Sequence, residues 1–262
     1  MKVILPKLQD DIYTKKGKAE KHLRFDAKFD LAFRNLGAKK SDLTALDPEK
    51  IIAKYGLRGF VFGNYVTQEE RYFFLLKISK QLELLAKIKG SNKLADGDLV
   101  IAFGSQGISR ANAHFNARDM LINLNRGRKT NYKEDLKGDG SFIHEYAHYI
   151  DFKKGRRSIV HGYNFESESD HKNNNFHGLI KELRKDPEYI FGISHSKYLM
   201  SDIEIFARAF ESTISYMVAK RKMTGFRNYV RSYILSPFYP TNKMIVKYDL
   251  EKYVTRILKT KL

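Results

Sequence analysis

The chain of 262 residues is long enough for one large domain or two small ones, and its 42% hydrophobic content is typical of a globular protein. It has no cysteine, which excludes disulfides, thiolate metal sites and cysteine nucleophiles, so any metal must be held by His, Asp or Glu. The formal net charge of +18 attracts polyanions such as nucleic acid. Because the lysines are scattered, a general solvating surface explains this charge equally well.

The first 46 residues are rich in Lys and Asp, with a helical pattern of apolar residues between Phe25 and Phe33. We predict a basic helical arm at residues 1–46 and one compact domain at residues 47–262. Charged residues follow the short apolar start at once, and no apolar run reaches membrane-spanning length. These features predict a cytoplasmic protein without a membrane partner, or one packaged in a particle and released into a cytoplasm. They leave the oligomeric state open.

Two helices are predicted next by their capping residues. The first has Asp47 as its N-cap and Pro48 at its first position. The second begins after Thr67, which can form a capping box with Glu70, and runs to about residue 89. Its apolar stripe predicts a core face made of Phe74, Leu75, Ile78, Leu82, Leu85 and Ile88.

Short apolar runs then predict strands. Residues 99–103 are typical of a buried strand, and residues 113–115 and 120–124 of two strands joined by a turn. We expect residues 120–124 to form a sheet edge, where an extended peptide could add as a further strand.

Residues 143–151 read I-H-E-Y-A-H-Y-I-D and contain an H-E-x-x-H motif made of His144, Glu145 and His148. No Gly or Pro interrupts the stretch, so we predict a helix. Side chains four residues apart lie on one helical face, where the two histidines can bind one metal ion. Glu145 is then placed to take a proton from a water molecule. The alternative is an ordinary helix with two unrelated histidines.

The remainder combines a polar segment with three further predicted helices. Residues 155–177 form a long polar stretch that suits a lid or an insertion. A helix from about residue 176 to 185 is closed by Pro187 in our reading, and a basic helix is predicted at residues 249–259. Between them, residues 201–220 predict a long helix capped by Ser201 or Asp202.

A catalytic zinc usually has three protein ligands and one open position. The metzincin continuation requires Gly and His where this chain has Asp151 and Lys154, so that type is excluded. A gluzincin takes a Glu from a later helix, and Glu204 is the best candidate. Glu211, two turns on, could orient a ligand histidine, as could Asp151. However, the helix dipole alone also favours a glutamate in the first turn, so the residues by themselves leave the third ligand open.

Residues 204–211, E-I-F-A-R-A-F-E, resemble the E-x-F-A-x-A-F segment of the anthrax lethal factor family of gluzincins. In that family the Glu is the third zinc ligand and follows an H-E-x-x-H-x-x-D motif like residues 144–151. The resemblance implies that Glu204 completes the site with His144 and His148. In that family, a tyrosine about two turns upstream of the ligand Glu donates a hydrogen bond to the developing oxyanion. Tyr198 lies close to the equivalent position in this chain, so the resemblance implies this role for Tyr198.

A longer resemblance covers roughly residues 55–217. The chain is similar there to the first type of large polyvalent protein-associated domain, found in proteins of phages and conjugative elements. Members are predicted peptidases thought to enter a recipient cell with the incoming DNA. The segments that carry the resemblance occur in order: L-R-G-F-V-F-G-N-Y-V-T-Q-E-E-R, I-A-F-G-S-Q-G, A-H-F, I-N-L, H-E-Y-A-H-Y-I-D and F-A-R-A-F-E.

These observations predict an α+β, zincin-like (gluzincin) fold with a small mixed sheet, an H-E-x-x-H helix and a later Glu-bearing helix. The expected function is that of a Zn²⁺-dependent endopeptidase that acts on a protein substrate in the host cytoplasm. The protein is expected to be encoded by a phage or mobile element, and a virion could carry it. An alternative is a basic, DNA-associated accessory protein that uses the scaffold for binding. A zinc nuclease is less favoured, because no cluster of Asp residues for two metals is visible.

Overall fold

The computed structural model describes residues 4–6, 8, 11–13, 22–24, 42, 46–104, 112–125, 141–155, 157–158, 162–163, 165–168, 175–231 and 236–261. The chain divides into two compact units, Met1–Phe142 and Ile143–Leu262. The first contains a mixed sheet with helices, and the second is mainly helical, so the protein belongs to the α+β class. This coarse part of the predicted fold is confirmed.

The first unit is built on a five-stranded mixed sheet. Its strands are β2 (Asp11–Tyr13), β4 (Gly59–Phe62), β5 (Val100–Phe103), β7 (Leu121–Leu124) and β6 (Ala113–Asn116), given in spatial order. The three inner strands run parallel, and the outer two pair antiparallel with their neighbours. Two further short strands, β1 (Ile4–Pro6) and β3 (His22–Arg24), form a separate antiparallel pair.

The predicted strands at residues 99–103, 113–115 and 120–124 are confirmed, but the predicted edge is wrong. Leu121–Leu124 lies inside the sheet, between β5 and β6, and Ala113–Asn116 is the edge strand. The two strands form a hairpin, and either of them could have paired with β5. The choice depends on long-range packing, which the alternation of apolar residues does not encode.

Both predicted helices of this unit are confirmed, with their caps. In α1 (Pro48–Tyr55) the side chain of Asp47 accepts hydrogen bonds from the first-turn backbone. In α2 (Gln68–Lys89) the Thr67 hydroxyl accepts from the Glu70 N–H, and the Glu70 carboxylate accepts from the Thr67 N–H at 2.8 Å.

The apolar stripe of α2 forms core, as its periodicity predicts. All six of its predicted residues are buried. The ring of Phe74 stacks on that of Phe103 in β5, with 4.5 Å between their centroids, and Phe62 of β4 stacks on the same ring. These aromatic contacts join the helix to the centre of the sheet.

The described parts of residues 1–46 include the three strands β1, β2 and β3, which the sequence reading did not predict. The helical pattern between Phe25 and Phe33, on which the predicted arm depends, lies outside the described residues.

The second unit is made of helices with short connecting elements. Its helices are α3 (Phe142–Lys154, whose first residue belongs to the other unit), α4 (Asn175–Arg184), α5 (Pro187–Ile193), α6 (Asp202–Lys220), α7 (Asn242–Lys247) and α8 (Leu250–Lys259). The helices predicted for the H-E-x-x-H motif, residues 201–220 and residues 249–259 are confirmed. Pro187 was expected to close a helix; in fact it also begins the next one, with Asp186 as N-cap.

Two contacts join separate elements of this unit. The Phe176 and Phe206 rings join α4 to α6, with 4.7 Å between their centroids. At Gly192 in α5, a Cβ atom would lie 2.4 Å from the carbonyl oxygen of Pro237. Only glycine therefore allows the segment of residues 236–240 to lie against α5.

Residues 155–177 are described in part. Arg157–Ser158 pairs antiparallel with Gly162–Tyr163, and Glu166–Glu168 forms a turn of 3₁₀ helix. Residues 175–177 already belong to α4, whereas other positions of the predicted lid or insertion, including His161 and His171, lie outside the described residues. Among the helices that are described, none is both long and apolar enough to cross a membrane.

Candidate metal centre

Helix α3 presents its two motif histidines on one face, as the four-residue spacing predicts. Nε2 of His144 lies 3.2 Å from Nε2 of His148, and both side chains are buried. The rings stand nearly perpendicular, with 4.8 Å between their centroids. The two nitrogens thus converge on one point beside the helix.

Helix α6 brings a carboxylate to the same point. Ser201 caps this helix by accepting a hydrogen bond from the Glu204 N–H, which fixes Glu204 in the first turn. Its Oε1 lies 3.4 Å from Nε2 of His148, and its Oε2 lies 3.5 Å from Nε2 of His144. Burial alone would raise the pKa of Glu204, but hydrogen bonds from both histidines hold it well below its ordinary value. The carboxylate is therefore ionised.

These three side chains fit a metal ion. One donor atom from each of them lies within 4.8 Å of the other two, and all three residues are buried. Zinc bonds of about 2.0–2.1 Å in a tetrahedron place ligand atoms about 3.3 Å apart. The distance of 3.2 Å between the two Nε2 atoms and that of 3.4 Å from Nε2 of His148 to Oε1 of Glu204 match that spacing. The other carboxylate oxygen, Oε2, lies 3.5 Å from Nε2 of His144. Two imidazoles and a carboxylate suit a divalent cation such as zinc, but do not by themselves identify it.

The electrostatics of His144 also indicate a cation at this point. Burial alone would lower its pKa, but interactions with the carboxylates of Glu204 and Glu211 raise it to about 10. The carboxylates therefore favour a positive charge on or beside this ring. A metal ion supplies that charge in place of the imidazole proton, because a ligand nitrogen must be deprotonated.

Glu145, the central residue of the motif, is buried beside the two histidines. Burial raises its pKa above the ordinary range, the charges of His144 and His148 oppose that rise, and the neighbouring carboxylates add to it. A carboxylate with a raised pKa is a stronger base than an exposed one, which suits a group that takes and returns a proton.

Glu211 lies two turns beyond Glu204 on α6 and faces the outer nitrogen of a candidate ligand. Its Oε2 is 3.4 Å from Nδ1 of His144. Nδ1 of His144 makes no hydrogen bond of ordinary geometry to the described residues, so Glu211 acts on this ring through its charge. Asp151, the other residue considered for such a role, instead accepts hydrogen bonds from the N–H and the hydroxyl of Ser167, at 2.7 and 2.5 Å.

Tyr198 lies beside the site, in the turn before α6. Its side chain is 62% exposed, and its hydroxyl interacts with the Glu204 carboxylate. Partial burial and this interaction raise the pKa of Tyr198, so the hydroxyl keeps its proton. The structure thus places an accessible hydrogen-bond donor at the edge of the histidine and glutamate cluster.

Two further residues of the site were missed in the sequence. Arg208 donates a hydrogen bond to Oε2 of Glu204 at 3.1 Å, and its guanidinium lies 5.1 Å from the ring centre of Tyr239. The Tyr239 hydroxyl donates to Glu211. Arg208 could have been noticed as the one basic residue inside a mostly apolar helix, four residues after Glu204. Tyr239 carries no comparable signal, because it lies in an irregular segment far along the chain.

Comparison of the chain with protein-family models, with curated proteins and with solved structures gave no match in any of the three.

Proposed function

We propose that this protein is a zinc-dependent endopeptidase of the gluzincin type, with a zincin-like fold. The observation that carries the proposal is the convergence of His144, His148 and Glu204, with Glu145 buried beside them. Two imidazoles and one carboxylate leave a fourth coordination position open, which a structural site would fill with protein ligands. The resemblance of residues 204–211 to the lethal factor family supports the same ligand set.

Each side chain has a distinct role in peptide hydrolysis. His144, His148 and Glu204 hold the ion, which when bound polarises the scissile carbonyl and makes water more acidic. Glu145 takes a proton from the attacking water and delivers it to the leaving amine. Tyr198 keeps its proton and donates a hydrogen bond to the oxyanion as the tetrahedral intermediate forms.

The biological setting of this proposal comes from the resemblance to the large polyvalent protein-associated domain. We infer a protein of a phage or conjugative element that acts on a protein substrate in the cytoplasm of the recipient cell, where it could arrive in a virion. Neither the substrate nor the oligomeric state follows from the site.

The first test is the metal content of the purified protein, measured by elemental mass spectrometry beside the Glu204→Ala variant. We expect about one zinc per chain in the wild type and a large loss in the variant. Glu49→Ala is the matched control, because Glu49 is also a first-turn glutamate and loses the same helix-dipole interaction. The control should keep its zinc. Wild-type protein without zinc after reconstitution would contradict the proposed site.

Activity is tested next with a peptide library and the Glu145→Gln variant. This variant should retain zinc, because Glu145 is not a ligand, and should lose hydrolysis by several orders of magnitude. Products from the wild type that persist in Glu145→Gln would point to a contaminating protease. Zinc binding without cleavage of any peptide would leave a metal protein that is not a peptidase.

The alternative function, a DNA-associated accessory protein, is favoured by the net charge of +18 alone. It predicts duplex DNA binding that weakens steeply as salt increases, because bound phosphates release counterions. Fluorescence anisotropy measures the binding of a labelled DNA duplex to the Glu145→Gln variant. This measurement separates DNA binding from peptide hydrolysis, which the variant should lack. Binding at physiological salt with no peptide hydrolysis by the wild type would favour the alternative.

A further inference from the structure

The two oxygens of Glu204 have different surroundings. Oε1 faces His148, whereas Oε2 faces His144 and also accepts a hydrogen bond from Arg208 at 3.1 Å. A carboxylate can bind a metal through one oxygen or through both. A charge-assisted hydrogen bond to one oxygen engages the lone pairs that a metal would otherwise use. The two oxygens are therefore not equally free to bind an ion.

Arg208 is held on its other side by Tyr239. The side chain of Arg208 is only 12% exposed, and its guanidinium lies over the Tyr239 ring. Burial alone would lower the pKa of Arg208, but neighbours that include Glu204 raise it, so it remains charged. The Tyr239 hydroxyl in turn binds Glu211, which faces Nδ1 of His144. A continuous set of contacts thus joins the candidate ligand Glu204 to the candidate ligand His144.

The cluster is rich in carboxylates, which favour a bound cation. Glu145, Glu204 and Glu211 are all buried there, and Arg208 pairs with Glu204. Buried charges are tolerated when they are paired, so Arg208 lowers the cost of three neighbouring carboxylates without filling the space between the histidines.

We propose that Arg208, supported by Tyr239, is a positioning residue that restricts Glu204 to metal binding through Oε1 alone. With Oε2 engaged, the protein supplies three donor atoms, and the fourth position stays open for water and substrate. An arginine suits this role because its planar group can donate to the carboxylate while it stacks on an aromatic face. The inference rests on the proposed metal site, and it explains how the fourth coordination position of the metal is kept open.

The test substitutes Arg208 in the full chain and replaces zinc with cobalt(II), whose visible absorption is strong for four ligands and weak for five or six. Wild-type protein should absorb strongly. Arg208→Met removes the hydrogen bond but keeps an apolar side chain against the ring, and should absorb weakly because both Glu204 oxygens can then bind. Arg208→Lys keeps the charge without the planar group and should fall between the two.

Two further readouts accompany the spectra. Chelator competition checks that each variant still binds the metal, and peptide hydrolysis should fall about 10- to 100-fold in Arg208→Met, with a smaller fall in Arg208→Lys. The matched control is Arg184→Met, which removes an arginine that pairs with Asp202, also in the first turn of α6. This control should change neither the spectrum nor the activity.

The possible outcomes separate the inference from the proposed function. A wild-type protein that binds no cobalt or zinc would overturn the metal site itself. Metal binding with the same cobalt spectrum in wild type and Arg208→Met would overturn the role of Arg208 and leave the metal site intact. If Arg208→Met does not fold, the test depends on Arg208→Lys alone. A cobalt spectrum of Arg208→Lys identical to that of the wild type would then overturn the inference.

Discussion

Nδ1 of His144 lies 3.4 Å from Oε2 of Glu211, while Nε2 of the same ring faces Glu204. One imidazole thus lies between two carboxylates of a single helix, one near each nitrogen. A neutral imidazole can donate from only one nitrogen, so a donor at Nδ1 leaves the lone pair of Nε2 for a metal. Nδ1 makes no hydrogen bond in the described structure, so Glu211 favours the form of the ring that can act as a ligand through its nearby charge.

This relationship predicts that Glu211→Gln weakens metal binding. The amide cannot supply the negative charge that favours a donating Nδ1, and we expect about 10- to 100-fold lower zinc affinity. Competition with a chromophoric chelator measures the change. Glu182→Gln, on the neighbouring helix α4, serves as the control and should bind zinc like the wild type. Equal affinity in Glu211→Gln and wild type would show that the contact does not orient the ring.

Tyr239→Phe should have a similar but smaller effect. The substitution removes the hydroxyl that donates to Glu211 and keeps the ring under Arg208. Because the hydroxyl acts through Glu211, the double variant with Glu211→Gln should bind zinc no more weakly than Glu211→Gln alone. A double-mutant cycle of zinc affinities measures this. Fully additive losses would mean that the two side chains act independently.

Tyr198→Phe should reduce peptide hydrolysis without loss of metal. Loss of one hydrogen bond to the oxyanion costs about 10²- to 10³-fold in kcat. The ring is 62% exposed, so the stability should change by less than about 0.5 kcal/mol. Steady-state kinetics, zinc content and thermal unfolding of the same preparation test this. An unchanged kcat would remove Tyr198 from the mechanism, and loss of zinc would make it a support for Glu204 instead.

Asp151 should make stability depend on pH. Burial raises its pKa to about 7, against the hydrogen bonds from Ser167, whereas its ordinary value is 3.8. Between these values the folded chain keeps a proton that the unfolded chain releases. The contribution of Asp151 to stability is therefore full below about pH 4 and is lost as the pH rises towards 7.

The variant Asp151→Asn cannot titrate, so its Tm relative to that of the wild type should increase as the pH is raised from 4 to 7. Thermal unfolding in the presence of a chelator measures this difference without a contribution from bound metal. Asp249→Asn, which changes an exposed carboxylate, is the control and should show no such trend. A Tm difference that stays constant with pH would show that Asp151 is ionised throughout the range.

Much of the second unit could be predicted because its signals are local. The spacing of His144 and His148 fixes their common face, and Ser201 marks the start of the helix that carries Glu204. The choice of Glu204 as third ligand came from a family resemblance, since a first-turn glutamate is also explained by the helix dipole. The structure brings it to the histidines, within the distance that a shared ion requires.

What could not be predicted depends on contacts between distant parts of the chain. The order of β6 and β7 is set by which strand pairs with β5, and the alternating pattern of a hairpin is the same in either case. Tyr239 reaches Glu211 from an irregular segment, where no periodicity exists to place a side chain. Helix α5 is not predicted when Pro187 is taken only as the end of a helix, although Asp186 before it is a typical N-cap.

The close approach at Gly192 extends the set of positions on which the candidate metal centre depends. Any side chain there would meet the carbonyl of Pro237 and displace the segment that carries Tyr239. Random mutagenesis scored for loss of zinc should therefore recover changes at this glycine together with those at His144, His148 and Glu204. In a lineage that retains the proposed activity, substitutions at position 192 should be almost as rare as substitutions of the candidate ligands, although Gly192 contributes no donor atom.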